Sequence, residues 1–217
     1  MIIIYPEDPT TTFLSPIITG ISEKTKAKIA FPPLKTLKSD EISDFIVKAD
    51  SLKTILYLGH GTSSEIMFFR DMEGFVDSAD AAIIFKDRKL IFLSCYSSIF
   101  LQSFSNQFRV GIGFGNIFTD ESEVIEPQDQ AKYGYDSYKC ISVFRERLIT
   151  LFKNSIVEAH LSNCSFLEFY HLLKLRINKT ICSCSLSKDK TEHLVGELMY
   201  KLKKEMVLIG NATASMN

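Results

Sequence analysis

The sequence has no tryptophan, no run of 18 apolar residues and almost no net charge. Without such a run there is no transmembrane helix, because spanning hydrocarbon takes about 20 apolar residues. Lysine and arginine number 25 against 26 aspartates and glutamates, a net charge of −1. That balance removes the electrostatic signature of a nucleic-acid binder and gives no support for a polybasic membrane surface. The five cysteines, at 95, 140, 164, 182 and 184, are odd in number and lack a repeated spacing. They are therefore no disulfide framework, and the expected setting is soluble, reducing and cytoplasmic. The N-terminal Met1–Tyr5 is apolar but too short for the hydrophobic core of a signal peptide, and Glu7 and Asp8 follow at once.

What is present reads as one globular domain over 1–217. Hydrophobic residues make up 46% and charged residues 24%, which argues against disorder. A chain of this length buries roughly 70% of its unfolded surface, so it needs neither disulfide nor metal to fold. Seventeen phenylalanines and eight tyrosines predict a core built largely on phenylalanine.

Four apolar runs, Met1–Ile4, Ile55–Leu58, Leu90–Leu93 and Val110–Phe114, show no period-two alternation. Each is expected to be a strand buried on both faces, as in a parallel sheet covered by helices. Helices are predicted from Ser39 (as N-cap, with Ile42, Phe45 and Ile46 on one face), over Asp77–Phe85, and over Ser97–Phe108 with Phe100, Leu101, Phe104 and Phe108 at helical spacing. Further helices are expected over Tyr133–Asn154, Ser155–Leu161, Phe166–Ile177 and Lys190–Lys204, with Met206–Ile209 returning as a late strand. This order predicts an α/β fold, a three-layer αβα sandwich around a mainly parallel sheet.

Two strand ends carry reactive residues. One reads Leu58-Gly59-His60-Gly61 and runs on into Thr62, Ser63 and Ser64; the other reads Leu93-Ser94-Cys95-Tyr96-Ser97. In open α/β sheets ligands gather at the carboxyl ends of strands, near the topological switch point. If the two strands are neighbours, their ends lie about 5 Å apart, and His60 and Cys95 face each other across a cleft. An imidazole beside a thiol takes its proton or stabilises the thiolate. Gly61 lets a substrate backbone approach. The N–H groups of Gly61 and Cys95 are candidate oxyanion donors, aided by the dipole of the helix starting near Ser97. Taken singly, a cysteine at the end of a buried strand is a small core hydrophobe, and Gly-His-Gly is a turn. The pair carries the inference.

Strand, His-Gly and Ser-rich loop, then a later strand ending in Ser-Cys with serines after it, resembles the caspase-like cysteine peptidases. The closest likeness is to the bacterial CHAT branch: Val110–Gly115 followed by Thr119-Asp120-Glu121 resembles its next strand and acidic loop, and the long helix after it and Ser155–Ala159 resemble its helices. The resemblance covers about residues 50–160. It implies a cysteine endopeptidase (thiol protease, hydrolase) with His60 as general base, Cys95 as nucleophile, and Gly61 and Cys95 as oxyanion-hole donors. It implies no cofactor and no metal, a protein substrate, a separate activator or regulatory partner, and a place in bacterial antiviral defence or cell-death modules. Neither nucleic acid nor membrane is an expected partner.

The departures bear on specificity. Caspases carry Gln-Ala before the cysteine and Arg-Gly after it; this chain has Leu93-Ser94 and Tyr96-Ser97. Metacaspases carry an aspartate where this chain has Leu93, so neither relative's residue preference transfers. Acidic residues follow two strand ends, Glu7 and Asp8, then Asp120 and Glu121. Asp8, Asp120 and Glu121 are the candidate substrate-binding residues, and any one of them in the pocket would favour Lys or Arg before the scissile bond.

Two other readings stay open: a non-catalytic interaction module that keeps the caspase-like fold, and a small-ligand or phosphate-binding α/β domain using Gly59–Ser64 as an anion loop. Gly111-x-Gly113-x-Gly115 lacks the dinucleotide spacing. Cys182-x-Cys184 with His171 and His193 lacks zinc spacing, and both cysteines, with Cys140 and Cys164, are expected as strand, loop or packing residues. The Arg145-Glu146-Arg147 stretch is expected at the surface.

Overall fold

The computed structural model describes residues 1–6, 10–25, 39–48, 53–67, 75–118 and 136–217. The four apolar runs form four parallel strands, β1 (Ile2–Ile4), β2 (Thr54–Leu58), β5 (Lys89–Leu93) and β6 (Val110–Gly113). A short antiparallel hairpin, β3 (Glu65–Met67) and β4 (Phe75–Asp77), stands between β2 and β5 in the chain. The late strand β7 (Val207–Gly210) runs antiparallel beside β6. The main sheet is thus β1-β2-β5-β6-β7, mainly parallel with one antiparallel edge.

Both faces of the sheet are buried. Ile3, Leu56, Leu58, Ile91 and Leu93 face one apolar cluster, while Ile2, Ile4, Ile55, Tyr57, Leu90 and Phe92 face another. Side chains of α1 (Ser15–Thr25), α5 (Ser137–Ser162), α6 (Phe166–Ser185) and α7 (Lys190–Glu205) fill the first. Those of α2 (Ser39–Lys48), α3 (Ser78–Ile84) and α4 (Ser97–Ser103) fill the second. The arrangement is α/β and compatible with a three-layer sandwich. It explains why the four parallel strands show no alternation: both of their faces are buried. The second cluster is largely phenylalanine, with Phe85, Phe92, Phe100 and Phe104 meeting in edge-on and stacked pairs at 5.1–6.4 Å. Each such pair adds about 0.5–1.5 kcal/mol to its area burial.

Helix starts follow local chemistry. Asp77 caps α3 through the Ala79 and Asp80 amides, and Ser165 with Glu168 closes a capping box on α6. Several boundaries differ from the sequence expectation. The helix after β5 ends at Ser103, not Phe108, because the chain must turn to enter β6; Phe104 and Phe108 are still buried, from the turn. The helices expected over Tyr133–Asn154 and Ser155–Leu161 are one, α5. Ser155 does not break it, since its hydroxyl donates to the Leu151 carbonyl and accepts from Arg176. The next helix runs eight residues past Ile177, so Cys182 and Cys184 lie on a helix rather than a strand or loop. Cys184 is buried, as expected of a packing residue, whereas Cys182 is exposed. Arg147 is not a free surface residue: it makes a two-pronged ion pair with Glu192 at 2.8 Å, tying α5 to α7. Among the described residues no helix is long and apolar enough to cross a membrane.

Residues 215–217 close the amino ends of the central strands. Thr54 Oγ1 donates to the Met216 carbonyl at 2.6 Å, and the buried Lys89 ammonium donates to the Ser215 and Asn217 carbonyls at 3.0 and 2.5 Å. The carboxyl ends of the same strands are left to the candidate site.

Candidate active site

β2 and β5 are adjacent and parallel, with Tyr57 opposite Phe92 and Leu58 opposite Leu93. The Gly59 N–H continues the ladder to the Leu93 carbonyl at 3.4 Å. His60 and Cys95 each lie two residues beyond the last pair, so they occupy the same level at the same edge. Strand order follows chain order without reversal among the parallel strands. The expected switch point is therefore absent, and the site rests on the shared carboxyl edge alone.

Gly61 brings the two loops into contact. A β-carbon there would lie 3.0 Å from the Cys95 carbonyl oxygen and 3.0 Å from Ser94 Oγ, so any larger residue would press the two loops apart by a few tenths of an ångström. Gly59 makes room for a different neighbour, since a β-carbon there would stand 2.7 Å from the Tyr57 hydroxyl. Both glycines of Gly-His-Gly are thus set by close packing.

His60 is half-buried, and its Nε2 lies 2.6 Å from Thr10 Oγ1. Thr10 belongs to the loop after β1, the neighbour of β2 on its other side. The hydroxyl holds the ring by its Nε2 nitrogen. Cys95 is half-buried, and its thiol donates to the Ile117 carbonyl at 3.4 Å. To pass its proton to an imidazole the thiol must turn from that carbonyl.

The turn after Cys95 is held firmly. Tyr96 adopts a left-handed conformation at φ 54°, unusual for an aromatic residue, and its N–H donates to the Gly115 carbonyl at 2.9 Å. The buried Ser97 hydroxyl lies 2.7 Å from the Phe92 carbonyl and 2.9 Å from the Ser94 carbonyl, and it accepts the Phe114 N–H at 2.9 Å. The glycines of Gly111-x-Gly113-x-Gly115 serve packing: a β-carbon at Gly113 would lie 2.7 Å from the Ser97 carbonyl oxygen, and one at Gly115 would overlap Glu205. The dipole expected from the helix at Ser97 is small, because α4 has only seven residues and the Ser98 N–H already donates to Phe114. Ser94 stands apart: its hydroxyl is buried and without a hydrogen-bond partner among the described residues.

Tyr57 lies beneath the histidine loop. Its hydroxyl donates to the His60 carbonyl at 2.6 Å and lies within hydrogen-bonding reach of the Met67 carbonyl. Burial pushes the phenol well above its ordinary range, a backbone hydrogen bond with Met67 partly offsets this, and the nearby Cys95 adds to it. Tyr57 therefore remains an O–H donor.

Of the candidates from sequence, the structure brings together His60, Gly61 and Cys95. Asp8, Asp120 and Glu121 lie outside the described residues. The anion-loop reading loses support, because the Ser64 and Glu65 amides both donate to Thr62 Oγ1, at 3.2 and 3.1 Å. The sequence reading missed Thr10, Tyr57 and Ser97. Only Tyr57 left a signal, a single polar atom in an otherwise apolar strand. The remaining thiols are ordinary: burial pushes Cys140 up to about 12 and Cys184 up to about 11, and raises Cys164. No group of three or more potential metal ligands occurs among the described residues. A separate cavity of about 660 Å³ lies along α5 and α6 and includes the paired Arg147 and Glu192; none of the site residues lines it.

A scan against models of protein families finds no match to this chain, and no curated protein matches it significantly.

Proposed function

We propose that the protein is a caspase-like cysteine endopeptidase, nearest the CHAT branch, that cleaves a protein substrate through an acyl-enzyme on Cys95. The observation that carries the reading is the common register of His60 and Cys95 at one sheet edge, with Gly61 packed against the Cys95 carbonyl. His60 takes the thiol proton, and the sulfur attacks the scissile carbonyl carbon. The oxyanion that forms is met by the Gly61 and Cys95 N–H groups. Collapse breaks the C–N bond, His60 returns the proton to the leaving amine, and water then hydrolyses the thioester. Thr10 keeps the ring in place through both transfers.

Leu93, where metacaspases carry an acidic residue, is fully buried in the core, so the residue before the scissile bond is read elsewhere. Asp8, Asp120 or Glu121 in that role selects Lys or Arg. By the same resemblance the enzyme is cytoplasmic, works in a bacterial defence or cell-death module, and is switched on by a separate protein. A second reading, a non-catalytic module of the same fold, draws on the thiol's hydrogen bond to the Ile117 carbonyl.

Cleavage of a peptide library by the wild type, with Cys95→Ala and His60→Ala as controls, tests the reading. Cleavage after Lys or Arg that both substitutions abolish supports it. Cleavage after Asp alone sinks the acidic pocket, and cleavage unaffected by Cys95→Ala sinks the enzyme.

A further inference from the structure

The His60–Gly61 peptide is held from one side only. Its carbonyl accepts two hydrogen bonds, from the Tyr57 hydroxyl at 2.6 Å and from the Met67 N–H at 3.2 Å. Both lone pairs are then engaged. The next rung of this small ladder runs from the Thr62 N–H to the Glu65 carbonyl at 2.8 Å. Gly61 and Ile66 are therefore opposite each other as a pair that exchanges no hydrogen bonds, and in such a pair the N–H groups turn outward. The peptide is trans, so a carbonyl pinned toward β3 fixes the attached Gly61 N–H on the opposite side. Among the described residues that N–H has no acceptor, and Gly61 itself abuts Cys95.

Tyr57 is the only fully buried tyrosine among the described residues, on a face otherwise built of phenylalanine and aliphatic side chains. Its ring packs edge-on against Phe92 at 5.5 Å, a contact that phenylalanine would make equally well. The hydroxyl is what the site uses, and Gly59 leaves the room for it. The same oxygen also lies within reach of the Met67 carbonyl, but its one hydrogen serves one acceptor at a time, and the Met67 N–H is what ties the histidine loop to β3.

We propose that Tyr57 is a positioning residue of the oxyanion hole: its hydroxyl pins the His60 carbonyl so that the Gly61 N–H is preset for the oxygen of the carbonyl that Cys95 attacks. The role rests on the endopeptidase reading above. It makes the β3–β4 hairpin the mechanical support of one oxyanion donor, so displacement of the hairpin releases that donor without touching His60 or Cys95. A carbonyl that accepts two bonds also polarises its peptide and strengthens the attached N–H as a donor.

The test compares wild type with Tyr57→Phe on a peptide the wild type cleaves. Losing a whole oxyanion donor costs about 10²–10³ in kcat; loosening one is expected to lower kcat about ten-fold or more, with KM within about two-fold. A peptide aldehyde, whose hemithioacetal oxygen occupies the hole, is expected to lose affinity in parallel. Alkylation of Cys95 by iodoacetamide, which forms no oxyanion, is expected to keep its wild-type rate. Met67→Pro removes the second donor to the same carbonyl and is expected to repeat the pattern if Tyr57→Phe does not fold. Wild-type kcat and aldehyde affinity in a folded variant overturn the proposal, as does an equal fall in alkylation. A wild type that cleaves no peptide and shows no Cys95-dependent labelling overturns the endopeptidase reading itself, and the role of Tyr57 with it.

Discussion

Thr10 Oγ1 lies 2.6 Å from His60 Nε2, so a loop leaving one strand holds the candidate base at the end of the next. On the proposed reading Thr10 plays the part of the third group that orients a base toward its nucleophile. Replacing Thr10 by Val keeps the shape and removes the oxygen. The expected result is a fall in kcat of about ten-fold, at the low end of what a positioned base contributes. Thr10→Ser should restore most of it, and steady-state kinetics on one peptide separates the two.

Gly61→Ala pushes a methyl against the Cys95 carbonyl and Ser94 Oγ, each 3.0 Å away. Overpacking of this kind costs about 1–3 kcal/mol. Activity should fall further than stability, by about 10² in kcat, because the displaced backbone carries a candidate oxyanion donor. Urea denaturation beside kinetics measures both.

Ser94 offers the opposite case. Its buried hydroxyl has no partner among the described residues, and an unsatisfied buried hydroxyl costs about 1–3 kcal/mol. Ser94→Ala should leave the urea midpoint unchanged or raise it. A clear loss of stability would show that the hydroxyl has a partner.

Thiol labelling should follow burial. Cys182 is exposed, whereas burial holds Cys140 up to about 12 and Cys184 up to about 11. Below about pH 10 both remain thiols, the poorly nucleophilic form. Iodoacetamide followed by peptide mapping should find Cys95 and Cys182 modified in the folded protein, with Cys140 and Cys184 unmodified until it unfolds.

Two carboxylates make the helical half sensitive to acid. The Ser165 amide and hydroxyl hold Glu168 below its usual range, and the Lys139 ammonium does the same for Asp189. A lowered carboxylate contributes stability above its unfolded pKa of about 4, and that contribution is lost as pH falls through the folded value. Glu168→Gln should flatten the decline in melting temperature below about pH 4 and leave the neutral range little changed.

The parallel strands were legible because burial on both faces writes an unbroken apolar run, and Ile55–Leu58 and Leu90–Leu93 are such runs. The hairpin strands Glu65–Met67 and Phe75–Asp77, of three residues each, are too short to carry a period. Helix α1 contains Pro16, Thr19 and Gly20, poor helix formers. It is held by Ile17, Ile18 and Ile21 in the core, a tertiary effect that local propensity does not encode. His60 and Cys95 were legible as a pair because each ends an apolar run. Thr10 was not, since its partner is fifty residues away and only the pairing of β1 with β2 brings them together. Arg147 reads as surface in a charged stretch, and its partner Glu192 lies on another helix.

The fastening of Thr54 and Lys89 by residues 215–217 also sets an order of events during synthesis. All four parallel strands leave the ribosome long before that segment exists. Until it arrives, the Lys89 ammonium and the Thr54 hydroxyl lack those acceptors, and β6 lacks the neighbour that β7 provides. A nascent chain therefore carries the His60 and Cys95 loops beside an unfinished sheet whose open strand can pair with other chains. Translation halted before residue 207 is expected to leave β6 as an open edge, which residues 207–210 cover in the finished fold.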